Sequence, residues 1–428
     1  KKHFTISTKG IKEGDFTMIY GFPGNTQEYI LSDAVAYIAE RSDPAKIAIR
    51  TGRLDIISAA QESDPALRIH YAAKHASIAN AWKKWQGEAM GIGRLGTVAS
   101  KRAYEQEFAA WAQDKPEYRS VVADLKAEYA RIADAYFARE ITRETLGALP
   151  ERYTPEERAE AAFARREQTE RALFEWLFGQ YARRCPVQYQ IPAFLAGVAA
   201  SGSPEAYAGE VFDTLWREGA DTTAVHALHK DTERILGHID WMLGTKSLRN
   251  LNSKILNELY TTYIKGLREW DRERAFYPDA NLTLRVAYGT VEGYSPVDAV
   301  YYEPFSTIDG IMEKDNPDIY DYNIPQRLRD LYRTKEYGRW NVDGSVPVCF
   351  LATNHTTGGN SGSPVLNAGG ELIGINFDRT WRSTMSDIAF DPAICRNIAV
   401  DVRYVLFVID RIGGAGYLFG EMDFSRRK

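Results

Sequence analysis

The sequence predicts an α+β protein in which short antiparallel strands at both ends of the chain flank one large all-helical block. Three observations carry this. Residues 1–30 alternate apolar and polar side chains, residues 31–275 repeat apolar side chains with a helical period, and residues 276–428 return to short β-rich runs punctuated by glycine. At ~150 residues per domain, the length of 428 corresponds to about three domains.

In the first segment, Phe16, Met18 and Tyr20 alternate with polar or small neighbours, and Gly21-Phe22-Pro23-Gly24 is strong turn chemistry. Residues 1–30 are too few for a domain, so they read as strands at the end of a preceding or shared barrel region. Within residues 31–275, Leu125, Tyr129, Ile132 and Tyr136 stack on one helical face, as do Leu256, Leu259, Tyr263 and Leu267. Helix starts are marked by Thr154-Pro155-Glu156-Glu157, which combines a capping box with proline at the first helical position. Ser203-Pro204-Glu205 and Ser63-Asp64-Pro65 repeat parts of that device. The segment is expected to form an all-helical cap domain.

Residues 276–428 hold 15 of the 33 glycines. Leu282, Leu284 and Val286 alternate, and β-rich runs follow at Val297–Tyr302, Val346–Ala352 and Leu372–Phe377. Short strands between Gly/Pro turns predict an antiparallel barrel or sandwich, and Val402–Ile412 predicts a closing helix.

Composition narrows the function. Apolar residues make up 44% and charged residues 26%, as in ordinary globular proteins. With 53 Lys+Arg against 58 Asp+Glu the net charge is −5, which argues against a nucleic-acid or anionic-membrane partner. The longest apolar stretch, Ile191 to Ala200, contains a proline and falls far short of the ~18–20 residues a membrane span needs. Cys185, Cys349 and Cys395 are an odd number without CxxC spacing, which argues against a disulfide framework or a zinc ribbon. The start, Lys1-Lys2-His3-Phe4, has no apolar signal core, as in a mature or truncated chain.

Two formal motifs are set aside. Gly91-Ile92-Gly93-Arg94-Leu95-Gly96 matches GxGxxG, but a helical pattern precedes it where a dinucleotide fingerprint needs a strand, so a helix-to-helix turn is expected. His226 and His229 lie one helical turn apart, with His238 further on, yet no other ligand stands at metal spacing. No metal and no cofactor is called for.

The informative segment is Thr356-Thr357-Gly358-Gly359-Asn360-Ser361-Gly362-Ser363-Pro364-Val365, between two expected strands. A nucleophilic serine needs a sharp loop that exposes its hydroxyl. Its own N–H and that of the residue two before it must converge to stabilise an oxyanion. Gly359 and Gly362 permit such a backbone, and Pro364 fixes the exit. The bland alternative is a plain Gly/Ser hairpin loop.

This segment resembles the nucleophile loop of chymotrypsin-like serine peptidases. A wider resemblance rests on TNHTTGGNSGSPVLNAGGELIGINFDRTWRSTMSDI, on DPAICRNIAVDVRYVLFVIDRIGGAG and on GDFTMIYGFPGNTQEY. These runs are similar to the bacterial exopeptidase family of dipeptidyl-peptidases 7 and 11. The resemblance implies a chymotrypsin-like double β-barrel with a helical domain inserted, Ser361 as nucleophile, and the Gly359 and Ser361 N–H groups as oxyanion hole. It implies that Arg379 holds the acidic side chain of a substrate with Asp or Glu at the penultimate position, type 7 members carrying glycine there. It also implies that Asp378 anchors the substrate's free amino terminus. Read without the family, Asp378-Arg379 is a surface ion pair at a strand end.

The resemblance further implies that the triad histidine and aspartate precede Lys1, making this a C-terminal portion inactive alone. His355 lies six residues before Ser361, on the approach to the same loop, which is the wrong place for the base in this class. A homodimer in the periplasm or at the bacterial cell surface is implied too. Two other readings stay open: a catalytically silent helical binding or scaffold module with a degenerate barrel, and an acidic-specific endopeptidase.

Overall fold

The helix starts marked in the sequence begin helices in the structure, a computed structural model describing residues 3–245 and 252–425. The Thr154 hydroxyl accepts the Glu157 N–H at 3.2 Å, and the Glu157 carboxylate accepts the Thr154 N–H at 2.7 Å. This reciprocal pair completes a capping box ahead of Pro155–Ala159. Ser203 caps the helix Pro204–Trp216. At Ser63-Asp64-Pro65 the cap is Asp64, because Ser63 is still the last residue of the preceding helix.

The chain divides into two units, Ile30–Phe276 and Lys1–Tyr29 with Tyr277–Lys428. The former is built from α1 (Ser32–Tyr37), α2 (Asp43–Ser63), α3 (Pro65–Arg94), α4 (Thr97–Ala112), α5 (Val121–Glu144), α6 (Pro155–Ala159), α7 (Glu167–Arg184), α8 (Pro192–Ser201), α9 (Pro204–Trp216), α10 (Thr223–Leu243) and α11 (Lys254–Trp270). The expected stripe on α5 is the buried one, with Leu125, Tyr129, Ile132 and Tyr136 all inside. On α11, Leu256, Tyr263 and Leu267 are buried. Gly91 and Gly93 lie within the last turns of α3, and Gly96, at φ +59°, forms the junction to α4. His226 and His229 sit on α10, and no group of three His, Cys, Asp or Glu able to hold a metal occurs among the described residues. No helix of the described residues is long and apolar enough to cross a membrane.

The other unit is an antiparallel sheet with short helices. Its strands are β1 (Phe16–Gly21), β2 (Arg285–Thr290), β3 (Tyr294–Val297), β4 (Val300–Tyr302), β5 (Phe305–Thr307), β6 (Pro347–Ala352), β7 (Ser363–Leu366), β8 (Leu372–Arg379) and β9 (Asn397–Asp401). Seven of them form one sheet in the order β2-β1-β7-β8-β9-β6-β5. β1 therefore pairs with β2 on one side and β7 on the other, although the helical block separates it from both in sequence. The sheet curls: Glu292 N–H donates to Leu351 C=O at 3.2 Å and Thr353 N–H to Thr290 C=O at 3.0 Å, joining the end of β2 to the end of β6. Its inner face is a cluster of Ile19, Val291, Phe350, Val365, Ile373 and Ala399, drawn from around the curl. Burying side chains of this kind contributes about 1.5–3 kcal/mol each for the larger ones.

Three expectations shift. The run Val297–Tyr302 is a hairpin between β3 and β4, because Ala299 takes a left-handed turn at φ +61°. The alternation from Leu282 enters a strand only at Arg285, since Leu282 itself has φ +65°. Val402–Phe407 is helical and continues as a π-turn to Ile412, but the chain then returns so that Phe424 bridges Ile6.

Candidate active site

Residues 353–362 form the loop between β6 and β7. Its shape is fixed by buried asparagines, since a loop this tight must satisfy its backbone with side chains. The Asn360 side chain accepts the Thr357 N–H at 3.1 Å, while the Asn360 carbonyl accepts the Ser363 N–H and the Asn376 amide. Asn397 in turn donates to Asn376 at 2.9 Å. All three asparagines are no more than 2% exposed. Gly24 N–H donates to Gly358 C=O at 2.6 Å, tying the loop to the chain beyond β1.

Gly359 has φ +105°, and a Cβ there would lie 2.4 Å from the Phe22 carbonyl oxygen and 2.9 Å from the Gly24 nitrogen. Both are backbone atoms, so only glycine fits. Among the described residues, neither the Gly359 nor the Ser361 N–H donates to another backbone carbonyl.

Ser361 is exposed, and its hydroxyl donates to the Phe377 carbonyl at 3.2 Å. A bulge between Asn376 and Asp378 takes Phe377 out of the β8–β9 ladder. The structure thus brings Ser361 to the end of β8, where Asp378 and Arg379 follow. The Asp378 carboxylate accepts the Arg379 backbone N–H at 2.8 Å.

Arg379 reaches inward. Its Nη1 and Nη2 donate to the two Asp387 carboxylate oxygens at 2.6 and 3.1 Å, and Nη1 also donates to Ser386 Oγ at 2.8 Å. The Arg379 and Asp387 side chains are 13% and 9% exposed. Asp387 is a residue the sequence reasoning missed. It stands eight positions beyond Arg379, across a 3₁₀ stretch at Trp381–Asp387, and its only sequence signal is a carboxylate within loop reach of an arginine.

His355 lies among these groups. Nε2 contacts the Ser386 carbonyl at 3.1 Å and Nδ1 lies 3.5 Å from Glu28 Oε1, while the ring stacks on Phe390. Burial pushes its pKa below the ordinary histidine value; Arg379 adds to this, and the Ser386 carbonyl and Asp387 oppose it. Both ring nitrogens face these neighbours, which suits a framing role rather than proton transfer. Cys185, Cys349 and Cys395 are free thiols.

The sequence matches the Peptidase S46 family profile over residues 1–172 and 168–424. An Asp/Glu-specific dipeptidyl-peptidase of Flavobacterium psychrophilum is 38% identical over 475 residues, covering 100% of this chain and 65% of that protein. Dipeptidyl-peptidase 7 of Phocaeicola vulgatus is 34% identical over 466 residues, covering 99% and 64%. The crystal structure of Porphyromonas endodontalis DPP11 in complex with the dipeptide Arg-Glu superposes with a TM-score of 0.85 at 31% identity, covering 100% of this chain and 67% of that one. A curled antiparallel sheet with a large helical unit is thus shared with solved dipeptidyl-peptidase structures. The chain belongs to peptidase family S46. It spans 65% and 64% of the length of the two curated relatives just described.

Proposed function

We propose that this chain is the nucleophile-bearing portion of a serine dipeptidyl-peptidase that releases N-terminal dipeptides with Asp or Glu at the penultimate position. The observation that carries the reading is the Ser361 hydroxyl 3.2 Å from the Phe377 carbonyl, two residues before a guanidinium held at the end of the same strand. A substrate side chain beside that serine would meet the Arg379 positive charge, which suits a carboxylate.

In this reading Ser361 Oγ attacks the carbonyl carbon of the second residue and its proton passes to a base. The Gly359 and Ser361 N–H groups hold the oxyanion, the leaving amine departs with that proton, and water then hydrolyses the acyl-enzyme. Among the described residues, the Ser361 hydroxyl bonds to the Phe377 carbonyl rather than to a base. Asp378 takes the substrate's α-ammonium group, which limits cutting to dipeptides. The backbone bonds joining β2 to β6 support reading the curled sheet as one chymotrypsin-like barrel. The relatives' names support the acidic preference. The reading extends to a homodimer exported from a bacterial cell, which sedimentation and cell fractionation test.

The deciding experiment is hydrolysis of dipeptidyl substrates ending in Glu, Asp, Gln and Leu by the full-length enzyme, with free and blocked amino termini. The reading requires acidic preference, loss on blocking, and loss in Ser361→Ala. Indifference to the block would make it an endopeptidase, and no turnover at all would favour a silent module.

A further inference from the structure

Arg379 is not a bare cation waiting for a substrate. Its Nη1 and Nη2 meet both oxygens of Asp387, and Ser386 Oγ and the Thr356 carbonyl also lie on Nη1, at 2.8 and 3.5 Å. Such a planar two-bond fork is the strong form of the ion pair, and at 9% exposure the Asp387 carboxylate is poorly screened by water. Asp387 is also fixed from behind, because its own carbonyl accepts the Gln27 N–H at 2.6 Å.

Resting on the proposed acidic pocket, we infer that Asp387 is an internal counter-carboxylate that sets the strength of that pocket. An incoming Asp or Glu side chain shares the guanidinium with a carboxylate already paired to it. The acidic preference is then a balance: Arg379 attracts the substrate charge, Asp387 repels it, and the difference is what selects. A neutral side chain such as Gln or Leu feels neither charge strongly. The arrangement also speeds departure of an acidic product, since the like charge of Asp387 is present throughout.

Asp387→Asn removes the charge while keeping an oxygen to accept from Arg379, and the Ser386 and Thr356 contacts still hold the guanidinium. In the full-length enzyme the Glu-to-Gln ratio of kcat/KM should rise about tenfold, equivalent to ~1.4 kcal/mol, and the rise should appear in KM. Asp387→Glu, which keeps the charge, should fall nearer the parent ratio. A purely structural Asp387 predicts the reverse, with the ratio falling as Arg379 loses its anchor. A ratio that falls or stays put in Asp387→Asn overturns the inference. Asp387→Ser reads the same ratio if Asp387→Asn does not fold. If neither neutral variant folds, Asp387 is a requirement of folding and the inference is again overturned. Arg379→Gly separates the two levels of the argument. If it leaves the ratio unchanged, the pocket reading itself fails. If it collapses the ratio while Asp387→Asn does not raise it, only the role of Asp387 fails.

Discussion

The Ser361 hydroxyl donates its proton to the Phe377 carbonyl at 3.2 Å. A carbonyl can accept that hydrogen bond but cannot take the proton away, so in this arrangement the hydroxyl is held rather than activated. Activation then requires a base to draw Oγ from Phe377. The bond is long and at an exposed residue, so its net value is at the lower end of ~0.5–1.5 kcal/mol.

Ser361→Ala should therefore leave the fold nearly untouched while removing the reaction. Melting should shift by no more than a few degrees, the scale of ~1 kcal/mol. Labelling by a fluorophosphonate probe in the full-length enzyme should vanish, and kcat/KM should fall by at least ~10³-fold. Labelling as strong as the parent's would remove Ser361 from the nucleophile role.

Gly359→Ala should do the opposite in proportion, harming stability and activity together. The left-handed φ of +105° costs a side chain about 1–3 kcal/mol, and the methyl would press on the Phe22 carbonyl oxygen, 2.4 Å away. The loop can relieve that contact only by moving the peptide that carries the Gly359 N–H. Thermal melting and probe labelling read the two effects. Parental values for both would contradict the tight approach of the loop to the chain beyond β1. Gly358→Ala is the control, since a Cβ there meets nothing within 4 Å.

Arg379→Gly should abolish the acidic preference and then invert it, because the negative charge of Asp387 stays while the positive charge of Arg379 is gone. Loss of a charge-assisted substrate contact is worth ~2–5 kcal/mol, or roughly 30- to several-thousand-fold in kcat/KM. Breaking the internal pair costs stability as well, on the order of 3–5 kcal/mol for a pair this enclosed, and adding Asp387→Asn should return part of it. Arg379→Lys should rescue only part of the preference, as an ammonium cannot make the planar fork. Paired Glu and Gln substrates and thermal melts measure both. An unchanged Glu-to-Gln ratio in Arg379→Gly would return Arg379 to the role of a structural ion pair.

The parts of this molecule legible in sequence are those where backbone geometry constrains residue type. Gly359 and Gly362 mark positive φ in the loop, and the Thr154 capping box marks a helix start. The stripe Leu125, Tyr129, Ile132 and Tyr136 marks a buried face. The illegible parts are those where geometry broke the usual correspondence or where the chain folds back on itself. Ala299 and Leu282 take left-handed turns that composition assigns to glycine or asparagine, so a hairpin read as one strand. Asp387 meets Arg379 around a loop with no period, and the chain of Asn360, Asn376 and Asn397 joins three separate segments. Nothing local in the sequence distinguishes those asparagines from solvated ones.

His355 gives a prediction in pH. Its ring sits between Tyr277 and Phe390, faced by Glu28, Asp279, Asp387 and Arg379, and burial holds its pKa below the ordinary value. The folded protein therefore keeps the ring neutral at pH values where the unfolded chain, with a histidine near ~6.5, has begun to bind a proton. Stability from this group is fully present above ~6.5 and is lost as pH falls below it, because protonation pulls toward the unfolded state. His355→Gln cannot protonate, so its melting temperature should fall less than the parent's between about pH 7.5 and pH 5.5. His70 and His229 are also held below the ordinary value by burial, so the variant should keep part of the slope. Parallel melting curves for parent and variant over that range would mean that His355 charges freely in the fold. The close contacts to the Ser386 carbonyl and Glu28 would then have to compensate fully for its burial.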